Sequence, residues 1–277
     1  MDLGMLAGEL GLLIVALAGA GLVMGFLAGL LGIGGGALLV PILYEVFAVL
    51  GVDETIRLHL CLGTALAAMV PTSLRSFRSH YNKGAVDTAF VRSVAVPVVA
   101  GVVLGSLIAR VAPQDVLALI FAICAALLAL RLYLGRDDWV LGDTLPGNPV
   151  RAIFGTAVGL FSTLMSIGGA AFVTAFMTLY GRKIHQAVAT SSGIGPMIAI
   201  PGTLGFMWAG WGAPDLPPGS VGFVNFLGAA VVVPLSVLMA PLGVYVSHSI
   251  PRRTLEYCVA TLLATIAFRF LLIVLYP

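Results

Sequence analysis

Residues 25–37 read GFLAGLLGIGGGA. The run is apolar throughout and reaches three consecutive glycines, Gly34, Gly35 and Gly36. Each glycine weakens a helix interior by roughly 1 kcal/mol relative to alanine, so three together stop a helix. A backbone broken at membrane depth persists only where protein or a polar cavity satisfies its N–H and C=O groups. The stretch therefore predicts a discontinuous membrane helix. A second version, GLFSTLMSIGGAA, occupies residues 159–171.

The composition supports a bilayer setting. The chain has 277 residues, 60% hydrophobic and 9% charged, with a mean hydropathy of +1.10. A soluble domain carries about a quarter charged residues, so too few are present to cover a soluble surface. At about 20 residues per crossing, the length allows about eight to ten spans. The net charge of +2 is uninformative about nucleic acid, and without a basic patch interleaved with aromatics no nucleic-acid partner is expected. Cys61, Cys124 and Cys258 stand singly in apolar runs without metal-ligand spacing. They read as packing side chains, and neither a metal nor a cofactor is expected. Asp2 and Glu9 precede or begin the first apolar run without a basic residue, so that run reads as a retained span rather than a signal peptide.

Working outward, the apolar segments are roughly 6–31, 37–50, 58–74, 88–110, 115–134, 150–166, 170–180, 184–208, 220–248 and 254–276. Segments 37–50 and 170–180 are too short for a simple crossing, and both follow a glycine break. They read as half-helices. Residues 75–84, RSFRSHYNKG, read as a basic loop, and 136–149 as a polar central linker.

The halves flanking that linker match. An offset of 134 aligns residues 25–37 with 159–171 at six identities in thirteen positions. An offset of 126 places His59 on His185 and Thr64 on Thr190. An offset of 138 places Gly105, Pro113, Ala122, Ala126 and Arg131 on Gly243, Pro251, Ala260, Ala264 and Arg269. The domain reading is a first transmembrane repeat over 1–135, the linker, and a second repeat over 150–277. Five segments per unit make the second unit enter from the opposite side. With Arg75, Arg78 and Lys83 cytoplasmic, alternation also places Arg136, Arg151, Arg182, Lys183, Arg252 and Arg253 there, the positive-inside pattern. The expected fold is an all-α integral membrane protein. It has two inverted repeats of about five helical segments each, with glycine-broken short helices.

Helices starting near Ala37 and Ala171 would point their N-terminal N–H groups into the membrane. Such an end is a ready anion site, and paired ends at the midplane are a recurrent transporter design. The plainer alternative is that the glycines only let helices pack closely. The candidate substrate contacts are Gly34, Gly35, Gly36, Ala37, Gly168, Gly169 and Ala170, with hydroxyls from Thr64, Thr190, Ser191 and Ser192. Back-bonding within a helix is the competing role for each hydroxyl. His59 and His185 are candidates for a proton or anion relay, against an interfacial hydrogen-bonding role. Arg131 and Arg269 read as snorkelling residues, and Glu45 and Glu256 as weaker proton-carrier candidates. No G-x-S-x-G, H-E-x-x-H or P-loop occurs, and no Rossmann glycine pattern follows a strand, so no enzyme is expected.

The stretch GFLAGLLGIGGGALLVPIL, its degenerate copy GLFSTLMSIGGAAFVTAF, and the His-x-x-x-x-Thr pair resemble the TauE/SafE sulfite exporter family, also called TSUP. The resemblance covers nearly the whole chain. It implies a bacterial or archaeal inner-membrane carrier for sulfur-containing or carboxylated small anions such as sulfite, sulfoacetate or thiosulfate. Ser166 and Ala170 depart from the first copy's pattern. The expected activity is secondary transport of such an anion by alternating access, one repeat rocking against the other. A passive anion channel on the same scaffold is the alternative. The expected partners are the anion, the lipid bilayer and a coupling ion, H+ or Na+; a homodimer is compatible with the sequence.

Overall fold

Asp53 starts the longest helix. Its carboxylate accepts the Thr55 N–H at 2.8 Å and the Thr55 hydroxyl at 2.5 Å. The side-chain bond and then the backbone bond hold its carboxyl below the usual aspartate range. The computed structural model describes residues 36–134, 141–142, 144–247 and 249–275, and positions 15, 17–19, 21–23 and 25–27 of the first apolar run. Within these, α1 is Gly36–Val49, α2 Glu54–Asn82, α3 Thr88–Val111 and α4 Gln114–Leu134. After the central linker come α5 Asn148–Met165, α6 Ala170–Leu179, α7 Ile184–Ser191 and α8 Ile194–Ala209. A two-stranded antiparallel hairpin, β1 Ser220–Val221 and β2 Val224–Asn225, leads into α9 Phe226–Ser247, and α10 is Arg252–Leu275.

Among the described residues five helices are long and apolar enough to cross a membrane. They are α2, α3 and α4, together with residues Phe226–Gly243 of α9 and Arg253–Leu275 of α10. α3 shows how such a helix is built. Val94, Val98, Val102, Gly105 and Ala109 are buried, while Val96, Val99, Val103, Leu107 and Val111 face outward. Both faces are apolar, so one packs on protein and the other needs lipid. The chain is a multi-pass, all-α integral membrane protein.

Two element boundaries differ from the sequence reading. The expected basic loop at 75–84 is helical as far as Asn82, because no breaker occurs until Gly84, whose φ is +65°. At 29 residues, α2 is about 43 Å long and outreaches a hydrocarbon core of about 30 Å. At the other boundary, the segment expected from residue 220 begins with the small hairpin, turned at Gly222. The segment 184–208 is divided into α7 and α8.

The helices interlock across the chain's midpoint. α5 packs on α3, where a Cβ added to Gly159 would land on the Val98 carbonyl oxygen and one added to Gly155 would crowd Val94 and Pro97. The first apolar run packs on α9 in the same way. A Cβ at Gly25 would land on Ser236, and one at Gly21 would crowd Val232 and Leu235. Gly21 and Gly25 lie 134 residues before Gly155 and Gly159. Val232, Leu235 and Ser236 lie 138 residues after Val94, Pro97 and Val98. These are the offsets at which the two halves match in sequence. α4 and α10 form another close pair, and α2 and α8 another, so most of the heavy packing joins one half to the other.

Candidate functional site

The second glycine break is a capped helix end followed at once by a new start. α5 stops at Met165, and Ser166 turns left-handed with φ 52°. The Ser166 and Ile167 N–H groups fold back on the Thr163 and Ser162 carbonyls at 3.2 and 2.9 Å. Gly169, at φ 69°, then starts α6 without a side-chain cap. The first bond of the new ladder runs from the Val173 N–H to the Gly169 carbonyl at 3.0 Å. The N–H groups of Ala170, Ala171 and Phe172 therefore precede the helical ladder.

The start of α1 meets this break directly. A Cβ on Gly36 would land on the Ser166 carbonyl oxygen, so the two backbones touch only because residue 36 is glycine. α2 passes alongside both. The Ser166 hydroxyl donates to the Leu62 carbonyl at 2.7 Å. The Met69 thioether lies between the breaks, its sulfur 2.6 Å from a Gly36 Cβ and its methyl 3.4 Å from a Gly168 Cβ. Gly195 of α8 closes the far side, 4.0 Å from a Gly168 Cβ. Ser162, Thr163 and Ser166 are fully buried here. No group of three or more metal-ligating side chains occurs among the described residues.

The sequence candidates divide. Gly36, Gly168, Gly169 and Ala170 come together at the junction. Gly34 and Gly35 lie outside the described residues, and of Ala37 only the helical backbone is described. Thr64 and Thr190 have other engagements. The Thr64 hydroxyl oxygen accepts the Asn225 N–H at 2.9 Å, and that of Thr190 accepts the Asp87 N–H at 3.0 Å. Asn225 and Asp87, 138 residues apart, in turn receive the Gly228 and Phe90 N–H groups and so start α9 and α3. Ser191 donates to the Val188 carbonyl and accepts from Thr174, tying α7 to α6. Ser192 back-bonds to Ala189 at 2.6 Å.

The histidines are not equivalent. His59 is buried, and its Nε2 donates to the Ala112 carbonyl at 3.1 Å while its ring lies 4.8 Å from that of Phe223. Its Nδ1 has no partner, and His185 is exposed in the first turn of α7. Glu45, a proton-carrier candidate, instead pairs with Arg269 at 2.5 Å. Sequence reading missed Ser162 and Met69. The cluster Ser162, Thr163 and Ser166 in an otherwise apolar run was the available signal.

A model of the sulfite exporter TauE/SafE family matches residues 17–270. The chain belongs to that family. A probable membrane transporter protein of Haemophilus influenzae is 30% identical over 254 residues, covering 91% of this chain and 96% of the relative. One from Methanocaldococcus jannaschii is 24% identical over 94% of this chain and 96% of its own length. A third, from Bacillus subtilis, is 27% identical over 68% of this chain and 76% of its own length. No solved structure matches. The matched region covers both glycine-rich stretches, and the structure brings Gly36 against Ser166.

Proposed function

We propose that this protein is a secondary transporter that carries a small sulfur-containing or carboxylated anion across the cytoplasmic membrane by alternating access. The observation that carries the reading is the contact between Gly36 of α1 and the break that separates α5 from α6. Inside a bundle of apolar helices, the start of α1 abuts the end of α5, and α6 begins there uncapped. Irregular backbone at membrane depth persists where protein or a polar cavity satisfies it, and a helix start presents N–H donors and about half a positive charge to an anion. Family membership and the names of the relatives point the same way.

The recurrence of contacts at offsets of 134 and 138 supports two related units of opposite orientation. It also changes what moves. Each half is wedged into the other at Gly25 with Ser236 and at Gly159 with Val98, so a sequence half cannot rock as a rigid body without breaking both. The moving bodies are spatial groups drawn from both halves, turning about the junction. An ion gradient, H+ or Na+, supplies the energy. No Asp, Glu, Lys or Arg is buried among the described residues, which leaves His59 as the buried histidine available to a proton.

Proteoliposomes provide the test. Uptake of labelled sulfite or sulfoacetate should saturate and show counterflow, whereas linear flux without counterflow would indicate a channel. Gly36→Leu, which drives the two breaks apart, should abolish counterflow; wild-type kinetics in that variant would remove the junction as the site.

A further inference from the structure

We infer that Ser162 and the uncapped start of α6 form the contact that holds the transported anion, on the second break rather than shared equally between the two. This rests on the transport reading above. Ser162 is fully buried and its hydroxyl has no partner. The other buried hydroxyls behave differently: Ser106, Thr163 and Thr203 each donate to the carbonyl four residues back, at 2.9, 2.7 and 2.6 Å. Ser162 Oγ lies instead 3.4 Å from where a Gly169 Cβ would sit, at the N-cap of α6. An orphaned buried hydroxyl is costly, and a ligand that accepts its hydrogen bond removes that cost.

The polarity of the break selects an anion over a cation. On the α5 side, the Thr163 and Ser162 carbonyls already accept the Ser166 and Ile167 N–H groups. On the α6 side, three N–H groups precede the ladder and no side chain caps them. The orphaned Ser162 hydroxyl, which can donate, sits on that positive side. α6 is ten residues long, enough for its end to carry a partial charge. Val158, Ile198 and Met69 surround the spot with apolar atoms, excluding water and strengthening each bond to an anion. The occupant is a compact anion whose oxygen atoms accept from one hydroxyl and from backbone N–H groups. Met69, with three rotatable bonds, is the side chain that moves aside to admit it. At the matching offset of 134 the first half has Ala28, which offers no hydroxyl.

Thermal melting of the purified full chain, with and without sulfite, thiosulfate or sulfoacetate as N-methylglucamine salts, tests this; sodium chloride is the control. The wild type should be stabilised by at least one of the three anions. Ser162→Ala should melt without anion at or above the wild-type temperature, because an unpaired hydroxyl has been removed. It should also require roughly tenfold to a hundredfold more anion for the same shift, the weight of a charge-assisted hydrogen bond. Ser162→Cys, of similar volume and weaker donor strength, should fall between. A Ser162→Ala protein that fails to fold or melts well below wild type makes Ser162 a structural hydrogen bonder and overturns the inference. Equal stabilisation of wild type and Ser162→Ala overturns it while leaving the transport reading intact. Stabilisation that follows sodium overturns the anion assignment, and a wild type that no anion stabilises overturns both readings.

Discussion

Thr64 and Thr190 accept the same kind of bond in the two halves, but in unlike surroundings. Thr64 receives the N–H of Asn225, which is 4% exposed, and Thr190 that of the half-buried Asp87. Each threonine braces the start of a long helix belonging to the other half. Where the brace reaches water, a charged aspartate serves as the N-cap. Where it is sealed, the cap is a neutral asparagine, and its Nδ2 also donates to the Pro218 carbonyl at 3.0 Å and to the Ser220 hydroxyl at 2.9 Å. The difference follows from the cost of burying an unpaired charge. It also shows that matching positions in the two halves share backbone geometry more closely than chemistry. His59, buried, and His185, exposed, repeat the lesson.

The largest effects belong to what the halves have in common. Gly25→Ala and Gly159→Ala each place a methyl group on a carbonyl-bearing backbone of the facing helix. Overpacking of this kind costs about 1–3 kcal/mol and more where backbone must shift, so both variants should lose most monodisperse protein in detergent. Equivalent interlocks predict equal losses. A tolerated Gly25→Ala beside a failing Gly159→Ala would break the parallel between the halves.

The same contrast explains how much of the molecule was readable beforehand. The apolar runs, the glycine breaks and the matching offsets lie in the one-dimensional pattern, and the membrane fold follows from them. The half-helices α1 and α6 were legible because a break plus a short apolar run leaves few alternatives. The roles of hydroxyls were not. Thr64 and Thr190 match in sequence, and the structure shows each bracing a helix start, a role the match alone does not reveal. Their partners Asn225 and Asp87 are distant in sequence and differ in charge, so identity alone hid the pair. Ser162 was overlooked for the opposite reason, having no counterpart in the first half. The matched hydroxyls brace helix starts, and the unmatched Ser162 makes the proposed contact.

A second prediction probes the two braces by exchanging their chemistry. Asn225→Asp should be strongly destabilising at neutral pH, since a carboxylate would face the Pro218 carbonyl where a donor stood. Acid should restore part of the loss, because a protonated carboxyl again donates. Asp87→Asn, at a cap reached by solvent, should change the melting temperature little, as both residues cap helices well. Thr64→Val removes the acceptor of a buried N–H and should cost about 1–3 kcal/mol. Thr190→Val should sit at the low end of that range. Equal melting temperatures for the two valine variants would show that burial does not distinguish the braces.

The smallest expected effect concerns a contact between the halves that has no ionic counterpart at the matching positions. Arg269 pairs with Glu45, both side chains about half exposed at 52% and 48%. The matching Arg131 has Leu179 at the position equivalent to Glu45 and reaches the Ala171 carbonyl at 3.5 Å instead. An exposed ion pair contributes about 0.2–1 kcal/mol, with salt screening reducing it further. A double-mutant cycle of Glu45→Gln and Arg269→Gln in detergent should give a coupling in that range, falling as salt is added. Arg131→Gln should change stability by no more than Arg269→Gln does. A salt-independent coupling above about 2 kcal/mol would place the Glu45–Arg269 pair away from water, at a helix junction the bilayer seals. One of the two matched cross-half contacts would then be a buried ionic tie and the other not, so the halves would differ in electrostatics as well as in their hydroxyls.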